Sequence, residues 1–238
     1  MNTKAIGATV TGARHARLGR NGQDGVAAWA LGDAGCVVVC DGCGSGASSE
    51  VGARLGAQLF ARALAARVGD GLAAFEAARA EVVRAIAELV ERMPGDRLVA
   101  LRDYFLFTVV AATLVRDEAI VWAVGDGAYA LDGRTTSIGP FADNQPPYVA
   151  YDLLGDAPVA HVATGRATSI VIATDGAESV DLECFDAPRF VAHPDALRRQ
   201  LAVLARTAET VDWDGRRVVR VPALLQDDCA IGLLRVVS

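Results

Sequence analysis

Three apolar runs in the chain each end in Asp-Gly: CVVVC before Asp41-Gly42, IVWAVG before Asp126-Gly127, and SIVIAT before Asp175-Gly176. A fourth acidic pair, Asp227-Asp228, directly precedes the last apolar run, CAIGLL. Buried strands that deliver carboxylates at their tips suit hard cations such as Mg, Mn or Ca, which prefer oxygen ligands. Asp-Gly is also the favoured hairpin turn, and the chain carries further copies at Asp24, Asp70, Asp132 and Asp214. The shared apolar lead-in sets the first three apart. Carboxylates gathered in this way can hold two divalent ions, and a water bridging them becomes nucleophilic at neutral pH and attacks a phosphate in line.

Other chemistries fit these residues less well. The turn Gly42-Cys43-Gly44-Ser45-Gly46 lacks both a following Lys-Ser/Thr and the spacing of a dinucleotide fingerprint. Its glycines let the backbone approach something small, and Gly42 can offer its carbonyl oxygen to a cation. A covalent aspartyl-phosphate enzyme wants a second Asp two residues after Asp41, where Cys43 stands. His15, His161 and His193 sit beside no candidate nucleophile in sequence.

The elements that must position these groups read as α+β. Short strands open the chain (AIGATV, VAAWAL, CVVVC), and Ser48 or Ser49 can cap a helix to about Val68 with Val51, Leu55 and Leu59 on one face. After Asp70-Gly71 a second helix carries Phe75, Val82, Ile86, Leu89 and Met93 at helical spacing, and Pro94-Gly95 ends it. FLFTVVAATLV, AIVWAVGD and AYALDG read as an antiparallel meander. Residues 138–158, with Asn144-Gln145-Pro146-Pro147-Tyr148 at their middle, read as a long surface loop. A helix from about Pro194 to Thr207 (Leu197, Leu201, Leu204) leads to the final strand. No repeat or linker interrupts the pattern, so one domain over 1–238 is expected.

With 238 residues, 52% of them hydrophobic, the chain can bury a large core. A net charge of −6 offers no basic surface to nucleic acid or to an anionic membrane. Five cysteines, an odd number without regular spacing, suit reduced thiols. Cys36 and Cys40 read as core residues on one strand face, and Trp29, Trp122 and Trp213 as core or sheet-edge packing. The segment MNTKAIGATVTG lacks a signal-peptide core, and no stretch approaches the roughly 20 apolar residues that span a bilayer. A cytoplasmic protein is expected, with neither nucleic acid nor membrane as partner.

Taken in order, Asn21-Gly22-Gln23-Asp24-Gly25, VVVC-Asp41-Gly42-Cys43-Gly44-Ser45, AVG-Asp126-Gly127-Ala128-Tyr129, IAT-Asp175-Gly176 and Asp227-Asp228-Cys229-Ala230-Ile231 resemble the motifs of the type 2C, metal-dependent protein phosphatases. The resemblance spans nearly the whole chain. It implies a four-layer αββα sandwich, two antiparallel sheets covered by helices, with two Mg or Mn ions in the cleft between the sheets at one end. It also implies hydrolysis of phosphoserine and phosphothreonine in a protein that a Ser/Thr kinase has phosphorylated. Position by position, Asp41 resembles the carboxylate that bridges both metals and Gly42 the residue offering a carbonyl. Asp175 and Asp227 match terminal ligands of the second metal. Asp24 matches an acidic residue reached through water, and Asp126 one linked to a third, looser metal site. The loop about 138–158 falls where the family carries a variable flap.

The departures bear on activity. Gln23 stands where many members have Glu, and its neutral side chain removes a charge from the surroundings of the metals. The family's phosphate-binding Arg falls at Gly19, with Arg20 or Arg17 as nearby substitutes. Cys43 occupies the place of a proposed general-acid His, which leaves protonation of the leaving group to water or to His15. Ser179 replaces an Asp four residues after Asp175, so the third metal site lacks that ligand. These departures motivate an alternative: a catalytically weak pseudophosphatase that binds a phosphoprotein or another partner.

Overall fold

Strands that are apolar on every residue need cover on both faces, and this chain supplies it in four layers. The computed structural model describes residues 1–193 and 195–237. Its twelve strands among the described residues are β1 (Asn2–Val10), β2 (Gly25–Leu31), β3 (Ala34–Gly42), β4 (Phe107–Val115), β5 (Glu118–Val124), β6 (Gly127–Leu131), β7 (Arg134–Ile138), β8 (His161–Arg166), β9 (Ser169–Ala173), β10 (Ala208–Asp212), β11 (Arg217–Val221) and β12 (Cys229–Val237). The helices are α1 (Ala13–Leu18), α2 (Ser49–Ala65), α3 (Ala73–Arg92), α4 (Arg97–Ala100), α5 (Arg189–Ala192) and α6 (Ala196–Leu204).

Two antiparallel five-stranded sheets, ordered β1-β12-β9-β6-β7 and β2-β3-β4-β5-β8, form the centre. Alternation along β3 explains its unbroken apolar run. Val37 and Val39 pack between the sheets with Val110, Val121, Ile170, Ile172 and Leu234, whereas Cys36, Val38 and Cys40 face α2 and α3. On the far side Val171, Ala173, Ile231 and Leu233 pack under Leu197 and Leu201 of α6 and Phe190 of α5. A stack of Phe60, Phe75 and Trp122, with ring centroids 5.6 and 5.7 Å apart, ties α2 and α3 to β5. Trp122 therefore lies in the core as expected.

The helix faces differ from those read off the leucine spacing. α2 turns Gly52, Ala53, Gly56 and Ala57 inward, while Val51 is exposed and Leu55 and Leu59 are half-buried. The reason is close approach: a Cβ on Gly56 would lie 2.5 Å from the Phe107 ring, and one on Gly52 would lie 2.1 Å from the Tyr104 carbonyl oxygen. α3 buries Phe75, Val82 and Ile86 as its spacing predicts, but also Arg79.

Residues 138–158 are not a surface loop throughout. They form 3₁₀ turns at Ala142–Asn144 and Val149–Leu154, and Val149 and Ala150 are fully buried. Arg79, 5% exposed, reaches across from α3. It donates in fork fashion to Asp152, through Nε at 2.9 Å to Oδ2 and through Nη2 to Oδ1, and through Nη1 to the Pro158 carbonyl oxygen at 2.7 Å. The expected start of the last helix at Pro194 lies outside the described residues, and α6 ends at Leu204. Between α6 and β12 stands a hairpin, β10–β11, that sequence reasoning missed; Trp213 at its tip is 82% exposed instead of packed.

Candidate active site

Strand direction brings the acidic tips together. β3 ends beside the start of β4, with Gly42 opposite Phe107, and β5 ends beside the same stretch, with Val124 opposite Val109. In the other sheet the end of β9 meets the start of β12, Ala173 opposite Ile231, and Ala128 near the start of β6 also pairs with Ala173. Asp41 comes from the first sheet, Asp175 and Asp227 from the second, and Asp126 from the crossing between them. All four line one cleft of about 590 Å³, with Gly42, Cys43, Gln23 and Asp228.

Glycines permit this convergence. A Cβ on Gly176 would stand 1.7 Å from the Asp228 carbonyl oxygen, and one on Gly12 would stand 2.1 Å from the Asp227 carbonyl carbon. The Asp-Gly of residues 175–176 thus brings two backbone segments into contact. By contrast, Asp132-Gly133 has positive φ at both residues, 45° and 78°, and turns the β6–β7 hairpin.

The carboxylates crowd one another. Asp41 is raised well above the ordinary carboxylate range by burial and by the charges of Asp24 and Asp175. Asp175 reaches solvent yet is walled in by the cleft; that desolvation, with the charges of Asp126 and Asp227, raises it to about 6. Burial also raises Asp126. Asp24 does not line the cleft. It is buried behind Asp41, and that burial lifts it to about 7. Its Oδ2 accepts from Thr174 Oγ1 at 2.6 Å, and Thr174 Oγ1 accepts from the Ala230 N–H at 2.9 Å.

Asp227 and Asp228 have different roles. Asp228 is 4% exposed and fully engaged: Oδ1 accepts from the Gly12 N–H at 2.8 Å, and Oδ2 lies 2.7 Å from both His15 Nδ1 and the Gln23 N–H. Asp227 is half-exposed, and its Oδ2 accepts from Arg14 Nη2 at 2.9 Å. The Gln23 side chain donates to Ser49 Oγ at 2.8 Å and so holds its loop to α2.

The donor set fits divalent ions. The oxygens are hard, and Asp126 Oδ1 and Asp24 Oδ1 are buried without a hydrogen-bond donor. His15, Asp227 and Asp228 also have ligand atoms within 4.8 Å of one another. The His15 ring, however, is 4% exposed and already held by Asp228.

The structure also corrects and extends the residue list. Neither Arg20 nor Arg17 lines the cleft; the cations there are Arg14 and Arg102. His15 is enclosed away from the cleft and does not face a leaving group. Ser179 is absent from the lining, whereas the preceding Glu178 faces Asp126 and Asp175 across a small adjoining pocket of about 130 Å³. Tyr148 and Tyr151, packed edge to face at 5.5 Å, form one wall with residues 143–146. Arg14 and Arg102 escaped sequence reasoning because a six-residue helix and a single turn of π-helix (Leu101–Phe105) are too short to carry a periodic signal.

A helix-covered pair of sheets with an acidic cleft at one edge defines an αββα sandwich with the donor set of a divalent-cation site. The chain belongs to the protein phosphatase 2C family, whose model matches residues 11–216. Among solved structures it is similar to the serine/threonine phosphatase PstP/Ppp of Mycobacterium tuberculosis, at 17% identity over the whole of both chains and a TM-score of 0.62. The catalytic domain of PstP in complex with two manganese ions matches at 18% identity and a TM-score of 0.61, over 100% of this chain and 99% of that one. Serine/threonine phosphatase Stp1 from Staphylococcus aureus matches at 14% identity and 0.61, over 98% of this chain and 95% of that one. These likenesses are of fold. No curated protein matches the sequence. No helix among the described residues is long and apolar enough to cross a membrane.

Proposed function

We propose that the chain is a Mg- or Mn-dependent protein phosphatase that hydrolyses phosphoserine and phosphothreonine in protein substrates phosphorylated by a Ser/Thr kinase. The observation that carries this reading is the charge of the cleft. Six aspartates (Asp41, Asp126, Asp143, Asp175, Asp227 and Asp228) face two arginines (Arg14 and Arg102). When all are ionised, the excess of four negative charges repels a phosphate dianion, and two divalent cations would cancel it.

We assign Asp41, Asp175, Asp227 and the Gly42 carbonyl to hold these ions, with Asp24 supporting Asp41 from behind and Asp126 serving a third, looser position. Divalent ions held by these residues would supply Lewis-acid polarisation of a water and of the phosphoryl oxygens. The chain's own residues arrange the rest. Arginines at the rim meet the phosphoryl group, and the wall of Tyr148, Tyr151 and residues 143–146 receives the peptide on either side. Hydrolysis forms one P–O bond from water and breaks the ester P–O bond. With His15 enclosed, the departing serine or threonine oxygen takes its proton from water in the open cleft.

The test uses purified chain with a phosphothreonine peptide and para-nitrophenyl phosphate, with manganese and with chelator. Manganese-dependent turnover that falls at least about 100-fold in Asp41→Ala is the expected result. No turnover at any metal concentration would instead favour a phosphoprotein-binding module.

A further inference from the structure

We propose that Arg14 takes the substrate's phosphoryl group and that it shares Asp227 with the divalent ion, releasing that carboxylate as the ion and the phosphate arrive. This rests on the phosphatase reading and assigns a role to a residue outside the motifs.

α1 is pinned to the strand tip that carries Asp227. The Ala13 N–H donates to the Leu225 carbonyl at 3.2 Å and the Arg14 N–H to the Gln226 carbonyl at 3.0 Å. Gly12 lies so close to the Asp227 backbone that no side chain fits between them. The Arg14 backbone is therefore fixed beside Asp227, while both side chains remain about half exposed, at 58% and 50%.

Arg14 commits only Nη2 to Asp227 Oδ2, at 2.9 Å, out of the five donors of a guanidinium. The other Asp227 oxygen, Oδ1, accepts from the Asp228 N–H at 3.0 Å. Arg14 thus engages the Asp227 oxygen that no backbone N–H holds, and competes there with a cation for the carboxylate's charge. When Asp227 turns to a cation, the planar fork loses its partner while facing the cleft, and a phosphoryl group matches that fork. Arg102, the other cation lining the cleft among the described residues, is bonded to the adjacent Asp103 at 3.1 Å.

The two halves of the proposal predict effects of opposite sign in Arg14→Gln. Without its competitor, Asp227 binds manganese more tightly, by about threefold, the scale of a half-exposed ion pair. Without the fork, inorganic phosphate binds the manganese-loaded protein at least about tenfold more weakly. Both are read by titration calorimetry, and KM for a phosphothreonine peptide rises with the second. A merely structural role for Arg14 would weaken both affinities together, and unchanged affinities would leave Arg14 without either role; each result overturns the proposal. It is also overturned if Arg102→Gln, and not Arg14→Gln, lowers phosphate affinity. Wild-type chain that binds manganese and phosphate but hydrolyses no ester sinks the phosphatase reading alone, since calorimetry still reports on Arg14. Absence of manganese binding in both proteins overturns both.

Discussion

At the scale of single residues, the site is a set of carboxylates that resist losing their protons. Asp175 at about 6 and Asp24 at about 7 bind protons more tightly in the folded chain than in the unfolded one, where a carboxyl titrates near 4. In chelated protein their contribution to stability is therefore present below about pH 4 and is lost as pH rises to about 7. Cation binding must displace the same protons, so affinity runs the other way. Manganese should bind much more weakly at pH 5.5 than at pH 7.5 and should release protons, as read by calorimetry in buffers of different ionisation enthalpy. Asp24→Asn should reduce that release; pH-independent affinity would contradict the assignment of these groups. Asp41, Asp126 and Asp175 were legible because each follows an apolar run, and Asp227 because it stands just before one. Arg14 and Arg102 were not, because tertiary contacts alone bring them to the cleft.

At the scale of elements, the clamp between α3 and residues 148–158 ties half of the long 138–158 segment to the core, where Val149 and Ala150 are buried. Arg79 holds Asp152 and the Pro158 carbonyl, and the segment so held presents Tyr148 and Tyr151 to the cleft. Arg79→Met leaves Asp152 without its partner and should cost about 3 kcal/mol in urea unfolding, with Asp152→Leu added to it recovering most of the loss. An unchanged midpoint for the single variant would contradict the clamp. The apolar strands of both sheets were legible from composition, whereas the edge strands β7 and β8, exposed along most of their length, carry no such signal. The α2 face was misread because glycine and alanine, chosen there for close approach to Phe107 and Tyr104, carry little apolar signal. The β10–β11 hairpin was missed because both its faces are exposed, so its residues follow no buried alternation.

At the scale of the molecule, the site belongs to neither sheet alone. Asp41 rides on one sheet, Asp175 and Asp227 on the other, and their separation depends on how closely the sheets pack. Gly232, on β12 and five residues after Asp227 in sequence, sets part of that spacing, since a Cβ there would stand 2.3 Å from Val37 Cγ2 on the opposing sheet. Gly232→Val should cost about 2 kcal/mol by overpacking and also weaken manganese binding, although no ligand is altered. Calorimetry showing wild-type affinity in that variant would uncouple the two. Ions gripped by both sheets would act as a rivet at one rim of a pair of plates. Prising the plates apart at the opposite rim would then disarm the cleft from a distance, without anything entering it.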